Sequence, residues 1–307
     1  MTFRSTTNLN GIVAAVDGSP TSDSAAAWAA REAARRDVLL TLVYVKPSDE
    51  VGPWLDLPIS SEYLQERDRL AEEVIEGSHR HIATVLSGTR EVRINKLVLD
   101  GPKLPVLIDL SKDADLMVVG CRGLGGLARL LLGSTSSALV HHSHSPVAVI
   151  HDETIHDETI HGETSVAELE ATAPVVVGVD AMPASELAVA IAFDEASRRG
   201  VELIAVHTWM NSADFYVDVA YEDLAVQAEE ELAQRLAGWS ERYPDVVVRR
   251  VVGRDNPAHR LIAESHRAQL LVVGSHGRGG FAGQLLGSVS WTVVQAATIP
   301  VIVARQG

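Results

Sequence analysis

A chain of 307 residues carries a formal net charge of −15, a single cysteine and 46% hydrophobic residues. That acidity argues against sequence-independent binding to nucleic acid, which needs Lys and Arg to neutralise phosphates, and the lone Cys121 excludes an intrachain disulfide. No apolar run approaches the roughly 20 residues that span a bilayer, and the first residues lack a signal-peptide core, so a soluble cytoplasmic protein of roughly two 150-residue domains is expected.

In chain order, Gly11-Ile-Val-Ala-Ala-Val-Asp17 reads as a buried strand ending in a carboxylate. Ser19-Pro20 then starts a helix, with Ser19 as cap, Pro20 in the first turn, and Ala25, Trp28, Ala29 and Ala33 on its buried face. Leu39–Val45 is a second strand, and the Pro-containing stretch Lys46–Ser60 reads as a long loop. Leu64, Leu70, Val74, Ile75, Ile82 and Val85 trace a long amphipathic helix. Val92, Ile94, Leu97 and Leu99 suggest a third strand running to Gly101. A short helix follows over Pro105–Lys112, then a strand at Leu116–Val119, a helix over Ser134–His144 and a last strand at Val147–Ile150. Strands alternating with helices predict a parallel sheet covered on both faces, doubly wound, with ligands at the carboxyl ends of the strands.

A five-residue tandem repeat, His151-Asp-Glu-Thr-Ile and its copies, comes next. It has no period that could bury a face, so residues 152–172 read as a solvated linker between domains at 9–151 and 173–305. Histidines spaced by five match neither helix nor strand and would not converge on a metal. Pro174–Asp180 restarts the pattern, followed by a helix from Pro183 to Gly200 and a strand at Leu203–Thr208. A long helix through Leu224, Leu232, Leu236 and Trp239 then leads to a strand at Val246–Val252. A short helix at Ala258–Arg267 and a final strand at Pro300–Ala304 complete the second copy. Asp180 and Thr208 each follow Asp17 and Val45 by 163 positions, whereas the later features are offset by 154, so the second copy lacks nine residues after Thr208.

The most informative stretch occurs twice. Gly120-Cys-Arg-Gly123, nine residues, then Gly133-Ser134 is repeated as Gly274-Ser-His-Gly277, nine residues, then Gly287-Ser288. Each copy follows an apolar run and leads into a helix. Glycine lets the backbone approach a ligand, and the unpaired N–H groups and dipole of the helix start favour an anion. Ser288 stands where its hydroxyl would cap the helix and bond a phosphate oxygen. Asp17, across the switch point from Gly120, reads either as an acceptor for sugar hydroxyls or as a cap of the following helix. Arg122, Arg129 and Arg278 lie inside the loops, as phosphate-screening groups or as solvated surface.

On these residues the chain resembles the universal stress proteins in tandem two-domain form. The family motif, Gly, two residues, Gly, nine residues, Gly-Ser/Thr, is met in both copies, and the strand-one aspartate is met by Asp17 and Asp180. The resemblance implies two five-stranded, adenine nucleotide alpha-hydrolase-like α/β units that bind ATP, with Mg2+ as its accompanying ion. It also implies pairing of the units within the chain through their last strands, or of whole chains as a homodimer. In the first copy the implied site comprises Ala15, Asp17, Val45, Gly120, Gly123, Arg129, Gly133, Ser134, Thr135 and Ser136. In the second it comprises Gly178, Asp180, Thr208, Gly274, Gly277, Arg278, Gly287, Ser288, Val289 and Ser290. Adenine would meet backbone at Val45 and Thr208.

The second copy departs from the first. Ala181-Met182 replaces Gly18-Ser19, which removes a helix cap and points to a looser second site, and Asp255 stands where the first copy has Gly101. The resemblance therefore implies a nucleotide-dependent regulatory switch in the stress response. A slow ATPase is the alternative. A dinucleotide oxidoreductase is weaker: Gly123–Ala128 and Gly277–Ala282 fit G-x-G-x-x-A, but they follow the fourth strand, and no acidic residue lies about 20 positions on. Neither loop holds the Gly-Lys-Ser/Thr of a P-loop ATPase, and no catalytic constellation appears.

Overall fold

The computed structural model describes residues 11–47, 60–86, 91–123, 132–151, 172–180, 184–209, 221–275 and 286–305. The chain forms two compact units, one built from the first five strands and one from the last five. The first holds β1 (Gly11–Ala15), α1 (Pro20–Arg36), β2 (Leu39–Lys46), α2 (Ser61–Val85), β3 (Ile94–Asp100), α3 (Lys103–Leu110), β4 (Leu116–Gly120), α4 (Ser134–His142) and β5 (Val147–Ile150). The second holds β6 (Val175–Gly178), α5 (Ala184–Arg199), β7 (Leu203–Trp209), α6 (Tyr221–Arg242), β8 (Val248–Arg254), α7 (Pro257–Ser265), β9 (Leu270–Gly274), α8 (Ser288–Ala296) and β10 (Val301–Ala304). The stretch 152–171 and most of the loop 46–60 lie outside the described residues.

In unit one the strands run parallel in the order β3-β2-β1-β4-β5, and in unit two in the order β8-β7-β6-β9-β10. Winding outward from β1 in one direction and from β4 in the other opens a crevice at the carboxyl ends of those two neighbours. The central strands are continuous apolar runs because helices cover both faces: Ile12, Val13, Val118, Val149, Val176, Val272 and Val303 are each at most 1% exposed. The edge strands are half-exposed and interrupted by Lys96 and Asp100 in β3 and by Arg249, Arg250 and Arg254 in β8. Charges of this kind discourage pairing with another chain. The edge strands run from Ile94 and Val248 rather than from Val92 and Val246.

Helix α1 begins as its sequence dictates. Ser19 Oγ accepts the Ser22 N–H at 3.2 Å and Pro20 occupies the first turn, where its missing N–H costs nothing. Its alanines bring the helix close to the sheet, and Trp28 fills the remaining gap at 5% exposure. The helix ends at Asp37 in the left-handed region (φ 56), with the cap N–H bonded to the Ala33 carbonyl. Pro105 sits inside α3 because a first-turn proline needs no intrahelical partner. Helix α6 has 22 residues against 25 for α2, so part of the nine-residue deletion falls in the helix and the rest in the segments on either side of it.

A buried ion pair is repeated in the interior of both units. Glu32 and Glu195 stand 163 positions apart, each with a fully buried side chain. Glu32 pairs with Arg36 at 3.0 Å and Glu195 with Arg199 at 2.9 Å. Burial of a carboxylate is costly unless it is paired, and the arginine one turn on meets that need within the same helix. Arg199 also donates to Gln269 Oε1, whose amide bonds the Ala173 carbonyl, which ties α5 to the entry of β6 and β9.

Candidate functional site

At the end of β1 the chain makes a tight turn through Asp17-Gly18-Ser19. Gly18 has φ 80, a conformation that suits glycine, and a Cβ there would press on Val74 of α2 at 3.2 Å. Asp17 Oδ1 accepts both the Ser19 N–H (3.0 Å) and the Ser19 hydroxyl (2.6 Å). Ser22 completes the turn: its hydroxyl donates to the Ser19 carbonyl at 2.8 Å and accepts the Asp17 N–H at 3.3 Å. The carboxylate thus has a turn role through one oxygen. The other oxygen lies against the glycine loop, because a Cβ on Gly123 would overlap Asp17 Oδ2. The expected meeting of strand-one carboxylate and glycine loop is therefore present in unit one, and Gly123 is required by that approach.

Gly120 is glycine for a different reason. A Cβ there would meet the backbone of Thr21 in α1, at 2.8 Å from its oxygen, so the residue admits close helix–strand packing. The loop is pinned at its base by Gly133 N–H to the Cys121 carbonyl at 2.8 Å, and Ser136 Oγ donates to the Gly120 carbonyl at 2.6 Å. Unit two repeats both bonds: Gly287 N–H to Ser275 O at 2.8 Å and Ser290 Oγ to Gly274 O at 2.6 Å. The loop interiors, including Arg129, Gly277 and Arg278, lie outside the described residues.

The helix starts correct one expectation. Ser288 is not a cap, and neither is its counterpart Ser134. Gly133 and Gly287 hold the cap positions, and neither helix has a side-chain cap hydrogen bond. The serines are first helical residues, followed by Thr135 and Ser136 in one unit and by Val289 and Ser290 in the other. A helix start left without a side-chain cap presents its first N–H groups to whatever occupies the crevice.

Ala15 ends β1 and Gly178 ends β6, with Asp17 and Asp180 two residues beyond each. Ser185, the equivalent of Ser22, donates to the Asp180 carbonyl at 3.0 Å. Ala181, Met182 and Pro183 are outside the described residues. Val45 and Thr208 lie near the ends of β2 and β7, one buried and one half-buried. The two units also leave their edge strands differently. Gly101 turns with φ 135, whereas Asp255 bonds the Asn256 N–H, and Asn256 caps α7 through the His259 N–H at 3.2 Å.

Beside the unit-one crevice, Lys46 at the end of β2 is held by Asp68 (2.8 Å) and Asp100 (3.0 Å). The hydrogen bond to Asp68 and the pairing with Asp100 raise the Lys46 ammonium above its ordinary value, against a smaller opposing effect of burial. The same hydrogen bond lowers the Asp68 carboxyl. In unit two Trp209 and Arg254 take the places of Lys46 and Asp100. Cys121 is a free, buried thiol. Among the described residues no group of His, Cys, Asp and Glu is arranged to hold a metal, and no helix is long and apolar enough to cross a membrane. His141 bonds the Ser137 carbonyl one turn back.

Sequence reasoning passed over Ser22 and Ser185, which brace the turn after each first strand. Their shared offset of 163 from one unit to the other is the signal that could have found them.

Parallel five-stranded sheets, each followed after its fourth strand by an uncapped helix start, define a tandem doubly wound α/β protein. The chain belongs to the universal stress protein family, whose profile matches residues 9–151 and again 172–305. It is 45% identical over 297 residues to universal stress protein Rv2623 of Mycobacterium tuberculosis, covering 96% of both chains. It is 46% identical over 300 residues to universal stress protein Rv2005c of the same organism, covering 97% of both. The crystal structure of a universal stress protein from Archaeoglobus fulgidus shares the fold, with a TM-score of 0.66 at 19% identity, covering 98% of this chain and 100% of that one.

Proposed function

We propose that the chain is an adenine-nucleotide-binding regulatory protein with one site per unit and little or no turnover. The observation that carries this reading is the approach of the Asp17 carboxylate to Gly123 beside an uncapped helix start. A ribose hydroxyl would donate to Asp17 Oδ2, and a phosphate would take the N–H groups at the start of α4. Asp180 and the start of α8 would do the same in unit two. The residues present fit such a group: Ser134 and Thr135 add hydroxyls in the first turn, Ser136 holds the loop base through the Gly120 carbonyl, and Gly133 keeps the approach open. When bound, ATP with Mg2+ would supply the charge and bulk that a partner protein reads.

Slow turnover follows from what surrounds the crevice. Neither glycine loop has a lysine in its sequence to clamp the β/γ-phosphates, and Lys46, the cation at the end of β2, is already held by two aspartates. Turnover below roughly 1 per second, the lower end of the typical enzyme range, is expected. Calorimetric titration with ATP and with NAD tests the reading. ATP binding at up to two sites per chain in preference to NAD supports it; tight NAD binding without ATP binding would sink it.

A further inference from the structure

Asp17 is anchored through one carboxylate oxygen and meets the glycine loop with the other. Ser19 gives Oδ1 two bonds, its N–H at 3.0 Å and its hydroxyl at 2.6 Å, the second having the length of a charge-assisted bond. A serine has one hydroxyl proton, and here it goes to the carboxylate, while Ser19 Oγ accepts the Ser22 N–H at 3.2 Å. Ser22 closes the ring: its hydroxyl oxygen accepts the Asp17 N–H at 3.3 Å and its proton goes to the Ser19 carbonyl at 2.8 Å. Both serines are 3% exposed, so water competes little for these bonds.

Capping α1 does not account for this arrangement. A cap needs only the bond that Ser19 Oγ accepts from the Ser22 N–H, and the hydroxyl proton plays no part in it. That proton is spent on the carboxylate that, in the nucleotide reading above, receives a ribose hydroxyl. Two donors on one residue fix Oδ1, which stops the carboxylate from turning about its Cβ–Cγ bond and keeps Oδ2 against Gly123. A group already held in its binding geometry loses less freedom when the ligand arrives, and affinity rises accordingly. Unit two is built differently at this turn. Met182 stands in the place of Ser19 and has no hydroxyl to donate, and Ser185, the equivalent of Ser22, donates to the Asp180 carbonyl at 3.0 Å.

We propose that Ser19 is a positioning residue of the first nucleotide site. It does not touch the ligand; it acts through Asp17, whose Oδ2 it aims at a ribose hydroxyl. The proposal rests on the nucleotide reading above and adds to it the group that sets the carboxylate in place.

The test uses the full chain carrying Asp180→Ala, so that the first site alone titrates, with ATP and with dideoxy-ATP, which lacks both ribose hydroxyls. Ser19→Gly and Ser19→Ala each remove the hydroxyl and should weaken ATP alike, by about tenfold, the order expected for one hydrogen bond to a charged group. Their melts should differ, because glycine caps a helix nearly as well as serine and alanine does not. Ser19→Thr keeps the hydroxyl and should bind ATP like the parent. Dideoxy-ATP should bind the parent and all three variants equally, because it offers Oδ2 no sugar hydroxyl. The inference is overturned if Ser19→Gly binds ATP like the parent, or if Ser19→Thr loses as much as Ser19→Gly. It is overturned as well if the loss follows the melting temperature, with alanine far worse than glycine, or if dideoxy-ATP shows the same loss as ATP. Failure of ATP to bind the unsubstituted chain would instead overturn the nucleotide reading, and this inference with it.

Discussion

The contact between Asp17 and Gly123 invites a double-mutant cycle. Gly123→Ala places a methyl where Asp17 Oδ2 now lies, so the carboxylate has to move. Its other oxygen holds two bonds from Ser19, at 3.0 Å and 2.6 Å, and a displaced carboxylate cannot keep both. A hydrogen bond to a charged group contributes about 1.5–3 kcal/mol, and water recovers part of that at a half-buried site, so a loss of about 2 kcal/mol is expected. In an Asp17→Ala background the obstruction is gone, and the same substitution should cost less than about 0.5 kcal/mol. The coupling energy of about 1.5 kcal/mol is within the range seen for residues in contact. Chemical denaturation of the four proteins reads it, and ATP titration of the same four shows whether the contact also shapes the site. Equal costs of Gly123→Ala in both backgrounds would refute the reasoning.

Three further substitutions probe the frame around the crevice. Thr41 is 1% exposed in the middle of β2 and among the described residues its hydroxyl has no hydrogen-bond partner, while unit two carries Ile204 at the equivalent place. Thr41→Val should therefore raise stability by about 1 kcal/mol in a urea melt; a loss would show that the hydroxyl is satisfied. Gly120→Ala should cost about 1–3 kcal/mol by the same measurement, through the Thr21 backbone 2.8 Å away, independently of any ligand. Lys46→Met should destabilise near neutral pH and less so in acid. The Asp68 carboxyl is lowered in the fold, so its contribution is present above its unfolded pKa of about 3.9 and is lost as pH falls through the lower folded value. A deficit that stays constant down to pH 2 would contradict that origin.

Much of the architecture was legible because burial on both faces leaves continuous apolar strands, and because the chain states its pattern twice. The pairing of Asp17 with the glycine loop followed from strand order alone, since β1 and β4 are neighbours in a sheet wound both ways. What escaped was set by contacts far apart in sequence or by single-residue boundaries. Gly120 reads as a ligand-approach glycine, yet its immediate constraint is Thr21 across the helix–sheet interface. Ser288 reads as a cap, but its helix, like the one at Ser134, starts one residue earlier than a serine cap would require, with Gly287 and Gly133 in the cap positions. Glu32 and Glu195 look like solvated helix charges until the packing of α1 and α5 buries them. The edge strands slipped because half-exposed strands mix charge with apolar residues, which blurs the alternation that marks their ends.

If each unit binds an adenine nucleotide beside its strand-end aspartate, Asp17 and Asp180 set the binding stoichiometry. Binding stoichiometry in Asp17→Ala, Asp180→Ala and the double variant, measured by calorimetry with ATP, addresses it most directly. Each single variant should lose one site, the double variant should bind no ATP, and all three should keep a cooperative melt. A folded double variant that binds ATP with unaltered stoichiometry and affinity would contradict it.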